Sequence, residues 1–209
     1  MAQKDVGNKI PIYKLKTTDE VMKYYDEWGI KNKYDQDMVD WDYTGPKETV
    51  ATFIKYAKDK NIKILDAGCG TGLVGIELKK HDYLNIDGMD LSKKLLDLVP
   101  QGYYQKLEQV DLNKQLKVKN DTYDAILCVG TFTFGHVKPH ALDEFIRITK
   151  NKGLICFTIN EGIHEEYGFD KKLKELCDTN MCEKLEFFKS QYLASKEVNA
   201  WLGLYKVTK

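Results

Sequence analysis

The stretch ILDAGCGTGLVG, residues Ile64 to Gly75, ends an apolar run with an aspartate and then places four glycines within eight positions. Glycine adopts positive φ angles without steric cost and lets a ligand approach the backbone closely. An apolar run followed by glycines and then by a helical pattern predicts a strand, a ligand-binding loop and a helix, in that order. The loop is therefore the first candidate site in the chain.

Two ligand fingerprints overlap in these glycines. Gly70, Gly72 and Gly75 match GxGxxG, a dinucleotide pattern whose first glycine follows its strand almost directly. Here the apolar strand IKIL has already ended at Asp66, four residues before Gly70. The second register, DxGxGxG, begins at Asp66 and adds Gly68, so that the carboxylate lies at the strand end and its three glycines lie in the turn. We favour this second register.

Strand-like and helix-like patterns alternate along the rest of the chain. Apolar strands are predicted at 83–90, 103–110, 123–130 and 153–160, and helices at 73–80, 92–99, 140–150 and 169–178. The alternation predicts an α/β fold with a doubly wound, mostly parallel sheet. Two further strand-like runs, 183–193 and 200–208, are joined by a short polar link, which predicts a C-terminal antiparallel hairpin and a seven-stranded sheet.

The N-terminal part, outside the predicted sheet, is rich in aromatic residues. Residues 1–16 carry scattered charges and predict a loosely ordered arm. The pattern TTDEVMKYYDEWG predicts a short amphipathic helix that begins at the Thr17 cap and ends at Gly29. We divide the chain into an N-terminal arm and helical lid, residues 1–45, and a ligand-binding domain, residues 46–209.

Composition excludes several classes of partner. Lys and Arg total 32 against 32 Asp and Glu, and Arg147 is the only arginine, so little favours a nucleic acid. The five cysteines are odd in number and form no CxxC pair, which favours a reduced compartment and no metal site. No apolar run is long enough for a signal peptide or a membrane span. We therefore expect a soluble, cytoplasmic protein that binds neither nucleic acid nor a membrane.

The glycine motif resembles the first motif of the class I, seven-stranded methyltransferases, which use S-adenosylmethionine (SAM). Asp90 in GMDLS, 24 residues after Asp66, matches the acidic residue that the family has at the end of its second strand. Asp111 in QVDL matches the position after the third strand. The N-terminal segments YYDEWGIKNKYDQDM and YTGP also resemble the methyltransferase-like proteins named after the Williams–Beuren syndrome chromosomal region. The implied cofactor is SAM, and its product is S-adenosylhomocysteine.

The resemblance also implies which residues hold the cofactor. The glycine loop would offer N–H groups to the methionine carboxylate, and Asp66 would hold the ammonium. Asp90 would accept from both ribose hydroxyls and Asp111 from the adenine amino group. The predicted cofactor-binding positions are Tyr34, Asp66, Gly68, Cys69, Gly70, Gly72, Asp90, Leu91, Asp111, Leu112 and Val129.

Methyl transfer is an in-line displacement, so it needs placement and dry surroundings. For the lid and acceptor side the sequence offers Tyr25, Trp28, Tyr43 and Phe132, although Tyr25 and Trp28 also fit plain helix docking. A general base is expected beyond strand four or five, which makes His136 and Glu161 the candidates. The alternative for His136 is a helix cap or a surface position, and for Glu161 a solvated loop.

These patterns favour methyl transfer from SAM to a small molecule. One alternative is a SAM-binding partner subunit or sensor without turnover, and another is a methyltransferase acting on protein or RNA. A nicotinamide dehydrogenase is the most distant alternative. The segment after strand four reads VGTF, residues 129–132, in place of the Asn-Pro-Pro-Tyr signature of amino-group methylation. The sequence leaves the acceptor atom and the oligomeric state open.

Overall fold

The computed structural model describes residues 10–15, 17–28 and 33–209, so the predicted arm at 1–9 and the predicted helix end at Gly29 lie outside it. The strands are β1 (Ile64–Ala67), β2 (Ile86–Asp90), β3 (Lys106–Gln109), β4 (Tyr123–Phe132), β5 (Thr149–Asn160), β6 (Cys182–Leu193) and β7 (Val198–Val207). The α-helices are α1 (Thr18–Trp28), α2 (Lys33–Asp40), α3 (Gly45–Phe53), α4 (Leu73–Lys79), α5 (Lys93–Leu96), α6 (Ala141–Ile148) and α7 (Phe169–Asp178). Short 3-10 helices lie at Pro11–Lys14 and Ala194–Lys196.

All seven strands form one sheet in the order β3-β2-β1-β4-β5-β7-β6. Strands β1 to β5 pair in parallel, with Ile64 of β1 opposite Ile86 of β2 and Ala125 of β4. Strand β7 runs antiparallel to β5 and to β6. This topology confirms the predicted doubly wound sheet with its terminal hairpin. The strand order reverses between β1 and β4, which is where ligands bind in such sheets.

Apolar side chains cover both faces of the sheet. On one face Val50 and Phe53 of α3 pack with Leu78 of α4 and with the buried ring of Tyr83. On the other face lies a larger cluster that includes Phe145 of α6 and Phe169 of α7. Burial of large aromatic side chains dominates such cores.

Phe132 belongs to this second face, which corrects its predicted place at the acceptor. The side chain is 1% exposed, and its ring centroid lies 4.9 Å from that of Phe169 and 6.0 Å from that of Phe145. Strand β4 continues to Phe132, two residues beyond the predicted end, and the period of two in a strand turns this side chain into the core.

The N-terminal segment departs from the predicted loose arm. Residues 10–15 include a 3-10 helix whose Ile12 and Tyr13 are buried, and the ring of Tyr13 packs 5.2 Å from that of Phe134. Helix α1 begins at Thr18, directly after the predicted cap Thr17, which forms a reciprocal capping box with Glu20. Helix α2 covers residues 33–40, where the sequence predicts no helix of its own.

Candidate active site

The glycine loop between β1 and α4 lies at the point where the strand order reverses. Gly68, Gly70 and Gly72 have φ angles of +81°, +53° and +93°, a region that L side chains rarely adopt. A Cβ atom at Gly68 would also lie 2.0 Å from the hydroxyl oxygen of Thr131 on β4. Backbone conformation therefore favours glycine at all three positions, and close approach adds to this at Gly68.

The N–H groups of this loop are mostly engaged inside the protein. Those of Gly68 and Cys69 donate to the carbonyl of Met89, at 2.7 and 3.0 Å, and that of Gly72 donates to Cys69. The N–H of Gly70 donates to Asp90. These four N–H groups are engaged within the protein, so the predicted contact between the loop and a carboxylate stays a prediction.

Asp90 ends β2 with its carboxylate fixed from two sides. One oxygen accepts from the Gly70 N–H and the other from the Ser92 N–H, both at 2.8 Å. Burial raises the pKa of Asp90, while these N–H donors oppose the shift. Because each carboxylate oxygen has two lone pairs, the fixed group retains acceptor capacity toward a ligand.

A cavity of about 680 Å³, measured out to its open mouth, lies beside this carboxylate. Its walls come from the glycine loop, the ends of β2 and β4, and helices α1 and α2. Eight of the eleven predicted cofactor-binding positions line it: Tyr34, Gly68, Gly70, Asp90, Leu91, Asp111, Leu112 and Val129. The structure therefore gathers residues from five separate segments around one space.

Three predicted positions lie behind the cavity wall: Asp66, Cys69 and Gly72. The Asp66 side chain is 0% exposed and accepts a 2.6 Å hydrogen bond from the hydroxyl of Tyr104, which in turn accepts from the N–H of Gly75 in α4. Burial raises the pKa of Asp66 to about 7. Asp66 thus joins β1 to α4 through Tyr104, a partner for which the sequence carries no signal. Its contact with the ammonium, directly or through water, stays a prediction.

Cys69 is buried, and burial raises the pKa of its thiol. Gly72 lies against Tyr104, whose ring would be 3.2 Å from a Cβ atom there. Both residues support the loop from behind and do not line the cavity.

Helices α1 and α2 close the cavity from above. Tyr25 and Tyr34 line it, whereas the indole N–H of Trp28 donates to Asp37 at 2.6 Å and ties the two helices together. The hydroxyl of Thr71 in the glycine loop donates to Asp35 of α2 at 2.7 Å. Of the predicted aromatic residues, Tyr25 and Tyr34 therefore form part of the cavity wall, whereas Trp28 holds the two helices together.

His136 lines the cavity, as its predicted place after β4 requires. Its Nδ1 lies 2.5 Å from the carbonyl oxygen of Phe134, which can only accept, so the Nδ1 carries the hydrogen. Its Nε2 then accepts from the hydroxyl of Tyr25 at 2.9 Å. Burial lowers the pKa of His136 to about 4, so the ring is neutral at physiological pH. His136 and Tyr25 form a neutral hydrogen-bonded pair in the cavity wall.

Glu161, the second predicted base, does not line the cavity. Its carboxylate accepts from the N–H of Asn199 at 2.9 Å and pairs with Lys189 at 2.7 Å. Although burial raises the pKa of Glu161, these partners in the hairpin hold it below its usual range. Glu161 connects β5 to the C-terminal hairpin, and its role as a base stays a prediction that these contacts do not favour.

A second cavity adjoins the first, and Tyr25, Tyr34 and Gly130 line both. Tyr43, predicted to face the acceptor, lines this second space. Among the described residues, no group of three or more His, Cys, Asp and Glu side chains could hold a metal ion. None of the helices in these ranges is long and apolar enough to cross a membrane.

The first cavity fits SAM by the chemistry of its walls. It offers the fixed carboxylate of Asp90 to a diol, the carboxylate of Asp111 to an amino group, and Leu91, Leu112 and Val129 to a flat ring. The family model described as a methyltransferase domain matches residues 64–153, which include the glycine loop and both carboxylates. Residues 64–153 thus match a methyltransferase domain, and the sheet has the topology of the class I SAM-dependent methyltransferases.

Within that class the chain is similar to methyltransferase-like protein 27 of Homo sapiens. The two are 34% identical over 141 residues, which are 66% of this chain and 56% of the relative. The chain spans about half the length of the curated relatives it matches.

Solved structures share the fold. One is a chain from the complex between the Haloferax volcanii Trm112 methyltransferase activator and a proposed methyltransferase, with a TM-score of 0.67, 14% identity, and 88% of this chain and 98% of that chain covered. Another is magnesium protoporphyrin IX methyltransferase from Synechocystis PCC 6803 with bound SAM, with a TM-score of 0.61, 15% identity and 78% of each chain covered. At these identities the likeness concerns the fold alone.

Proposed function

We propose that this chain transfers the methyl group of SAM to a small-molecule acceptor. The observation that carries the proposal is the cavity beside Asp90, which is lined by α1 and α2 and adjoins a second cavity. A covered cavity of this size suits a small acceptor better than a folded macromolecule. When bound, SAM supplies an electrophilic methyl group on a positively charged sulfur.

The cofactor would be held by side chains that the fold already fixes. Asp90 would accept from the ribose hydroxyls, since Gly70 and Ser92 keep its carboxylate in one orientation. Asp111 would accept from the adenine amino group; its own carboxylate is oriented by the N–H of Asn113 at 3.0 Å. Such fixed acceptors lose little freedom when a ligand binds.

The two N-terminal helices would exclude water from the reacting atoms. We assign residues 1–45 the role of an arm and lid over the domain formed by residues 46–209. Support comes from the hydrogen bond between Thr71 and Asp35, which couples α2 to the glycine loop. Water exclusion strengthens the electrostatic interactions inside the site.

Tyr25 and His136 would remove a proton from an acceptor that needs a base. The acceptor O–H or N–H bond breaks, and its proton passes to the oxygen of Tyr25 while the proton of Tyr25 passes to Nε2 of His136. The 2.9 Å bond between Tyr25 and His136 already places the second transfer within reach. Tyr25 is the group that faces the acceptor, and His136 acts through it.

The direct test is to incubate the chain with methyl-labelled SAM and a metabolite extract, then separate small molecules, proteins and RNA. Label in the small-molecule fraction supports the proposal. Label in the protein or RNA fraction would contradict a small-molecule acceptor and identify a macromolecular one. Binding of SAM without label in any fraction would favour the alternative of a SAM-binding partner or sensor.

Five free cysteines, at 69, 128, 156, 177 and 182, support a cytoplasmic site of action.

A further inference from the structure

The second cavity, of about 380 Å³ to its open mouth, shares a wall with the first. Gly130 forms part of that wall with a φ of +78°, and a Cβ atom there would lie 2.7 Å from the hydroxyl of Tyr43 and 3.1 Å from that of Tyr192. The glycine therefore lets these two hydroxyls approach the backbone between the two cavities. A molecule in the second cavity would lie next to whatever occupies the first.

Aromatic side chains dominate the second cavity. Besides Tyr25 and Tyr34, its lining includes Tyr13, Trp28, Trp41, Tyr43 and Tyr192. Burial raises the pKa of Tyr13 to about 12 and raises the pKa of the other four tyrosines as well. All five hydroxyls are therefore neutral at physiological pH and can donate or accept hydrogen bonds.

No Lys, Arg, His, Asp or Glu is among the described residues that line this cavity. The two nearby carboxylates on α2 are already bonded elsewhere, Asp37 to the indole of Trp28 and Asp35 to the hydroxyl of Thr71. A buried charge without a partner is strongly disfavoured. Among the described lining residues an anion would find no cation, and a cation would find no carboxylate.

We propose that the second cavity binds the methyl acceptor and that this acceptor is an uncharged, compact molecule held by aromatic contacts and tyrosine hydroxyls. This proposal rests on the function proposed above, because it names the acceptor's class. Tyr25 lies in both cavity walls, so the acceptor would meet the hydroxyl that is bonded to His136. The hydroxyl or amine that receives the methyl group would be the acceptor's one polar contact with the reaction centre.

Two neighbouring positions on α2 offer a matched pair of variants. Met38 is 8% exposed and lines the second cavity, whereas Val39 is 70% exposed. Met38→Trp should fill the cavity and reduce labelling of small molecules in the extract about tenfold or more, the scale of a lost binding pocket contact. Val39→Trp should label as the wild type does, and both should bind SAM with unchanged affinity by calorimetry. Full labelling by Met38→Trp would overturn the placement of the acceptor.

The charge class can be tested on the unaltered chain with three ring probes that differ in charge. We expect neutral p-cresol to quench the fluorescence of Trp28 and Trp41 saturably, and 4-hydroxybenzoate and tyramine to bind at least tenfold more weakly. Equal or tighter binding of either charged probe would overturn the uncharged class. If p-cresol binds but no fraction of the extract is labelled, the second cavity still binds an uncharged ring, and the proposed methyl transfer is contradicted.

Discussion

At the scale of single residues, Asp90 is the side chain proposed to hold the ribose of SAM. Asp90→Ala removes both the ribose acceptor and the anchor of the Gly70 N–H. We expect SAM to bind about 1.5–3 kcal/mol more weakly, the scale for hydrogen bonds to a charged group. Calorimetry checks this. Asp97→Ala is the control, since Asp97 is exposed and its partner is Lys93 on the same helix turn. If both variants bind SAM with equal affinity, Asp90 does not hold the ribose.

The pair of Tyr25 and His136 gives a second expectation at this scale. His136→Ala and Tyr25→Phe should each reduce turnover by about 10² or more if the acceptor needs a base, with SAM affinity nearly unchanged for the histidine variant. Glu161→Gln should keep full turnover, since that carboxylate pairs with Lys189 away from the cavity. Steady-state kinetics with a labelled acceptor distinguishes the three.

The same pair fixes the pH profile of the reaction. Because burial lowers the pKa of His136 to about 4, the ring stays neutral well below the usual histidine range. Turnover should therefore show no loss near pH 6.5, where an ordinary histidine takes up its proton. A fall in kcat centred near pH 6.5 in the wild type, and absent in His136→Ala, would contradict the buried neutral histidine.

At the scale of elements, α1 and α2 act as a cover that one side-chain contact couples to the glycine loop. Thr71→Ala removes the hydrogen bond to Asp35. We expect residues 18–28 and 33–40 to exchange amide hydrogens more slowly when SAM is bound, and this protection to weaken in Thr71→Ala. Hydrogen exchange with mass spectrometry measures both. Equal exchange with and without SAM would show that the helices do not respond to the cofactor.

The elements also show what the sequence could predict. Helix α7 was predicted with the bounds 169–178 that the structure has, and the strands with small errors at their ends, because their apolar periods are local. Helix α2 and the 3-10 helix were missed because distant contacts stabilise them, namely Asp35 to Thr71 and Tyr13 to Phe134. The local apolar period of a sequence does not predict such long-range contacts.

The site followed the same division. Gly68 and Asp90 were predictable because backbone conformation and strand ends constrain residue type and spacing. Glu161 follows β5 as expected, yet its side chain is directed by Lys189 and Asn199 on the hairpin. Asp66 was placed at the correct strand end but faces Tyr104, a contact 38 residues away in the chain. Side-chain direction depends on tertiary partners, so spacing alone cannot supply it.

At the scale of the whole molecule, two buried groups link folding to pH in opposite directions. Burial raises the pKa of Asp66 from 3.8 to about 7, so the folded state binds its proton more tightly and stability falls as pH rises from about 4 to 7. Burial lowers the pKa of His136 from 6.5 to about 4, so the unfolded state binds that proton more tightly and stability falls as pH drops from 6.5 to 4. The two effects share one pH window and oppose each other.

Removing either group should therefore reveal the effect of the other on the pH dependence of stability. In Asp66→Asn the effect of His136 is no longer opposed by Asp66, and the free energy of unfolding should rise from pH 4.5 to 7 relative to the wild type, by roughly 1–3 kcal/mol. In His136→Asn the Asp66 carboxyl remains, and the free energy of unfolding should fall from pH 4.5 to 7 relative to the wild type. Urea unfolding of the cofactor-free protein at pH 4.5, 5.5 and 7 measures both slopes, and Asp97→Asn, an exposed carboxylate, should follow the wild type. Parallel curves for all four proteins would mean that neither Asp66 nor His136 changes its proton affinity on folding.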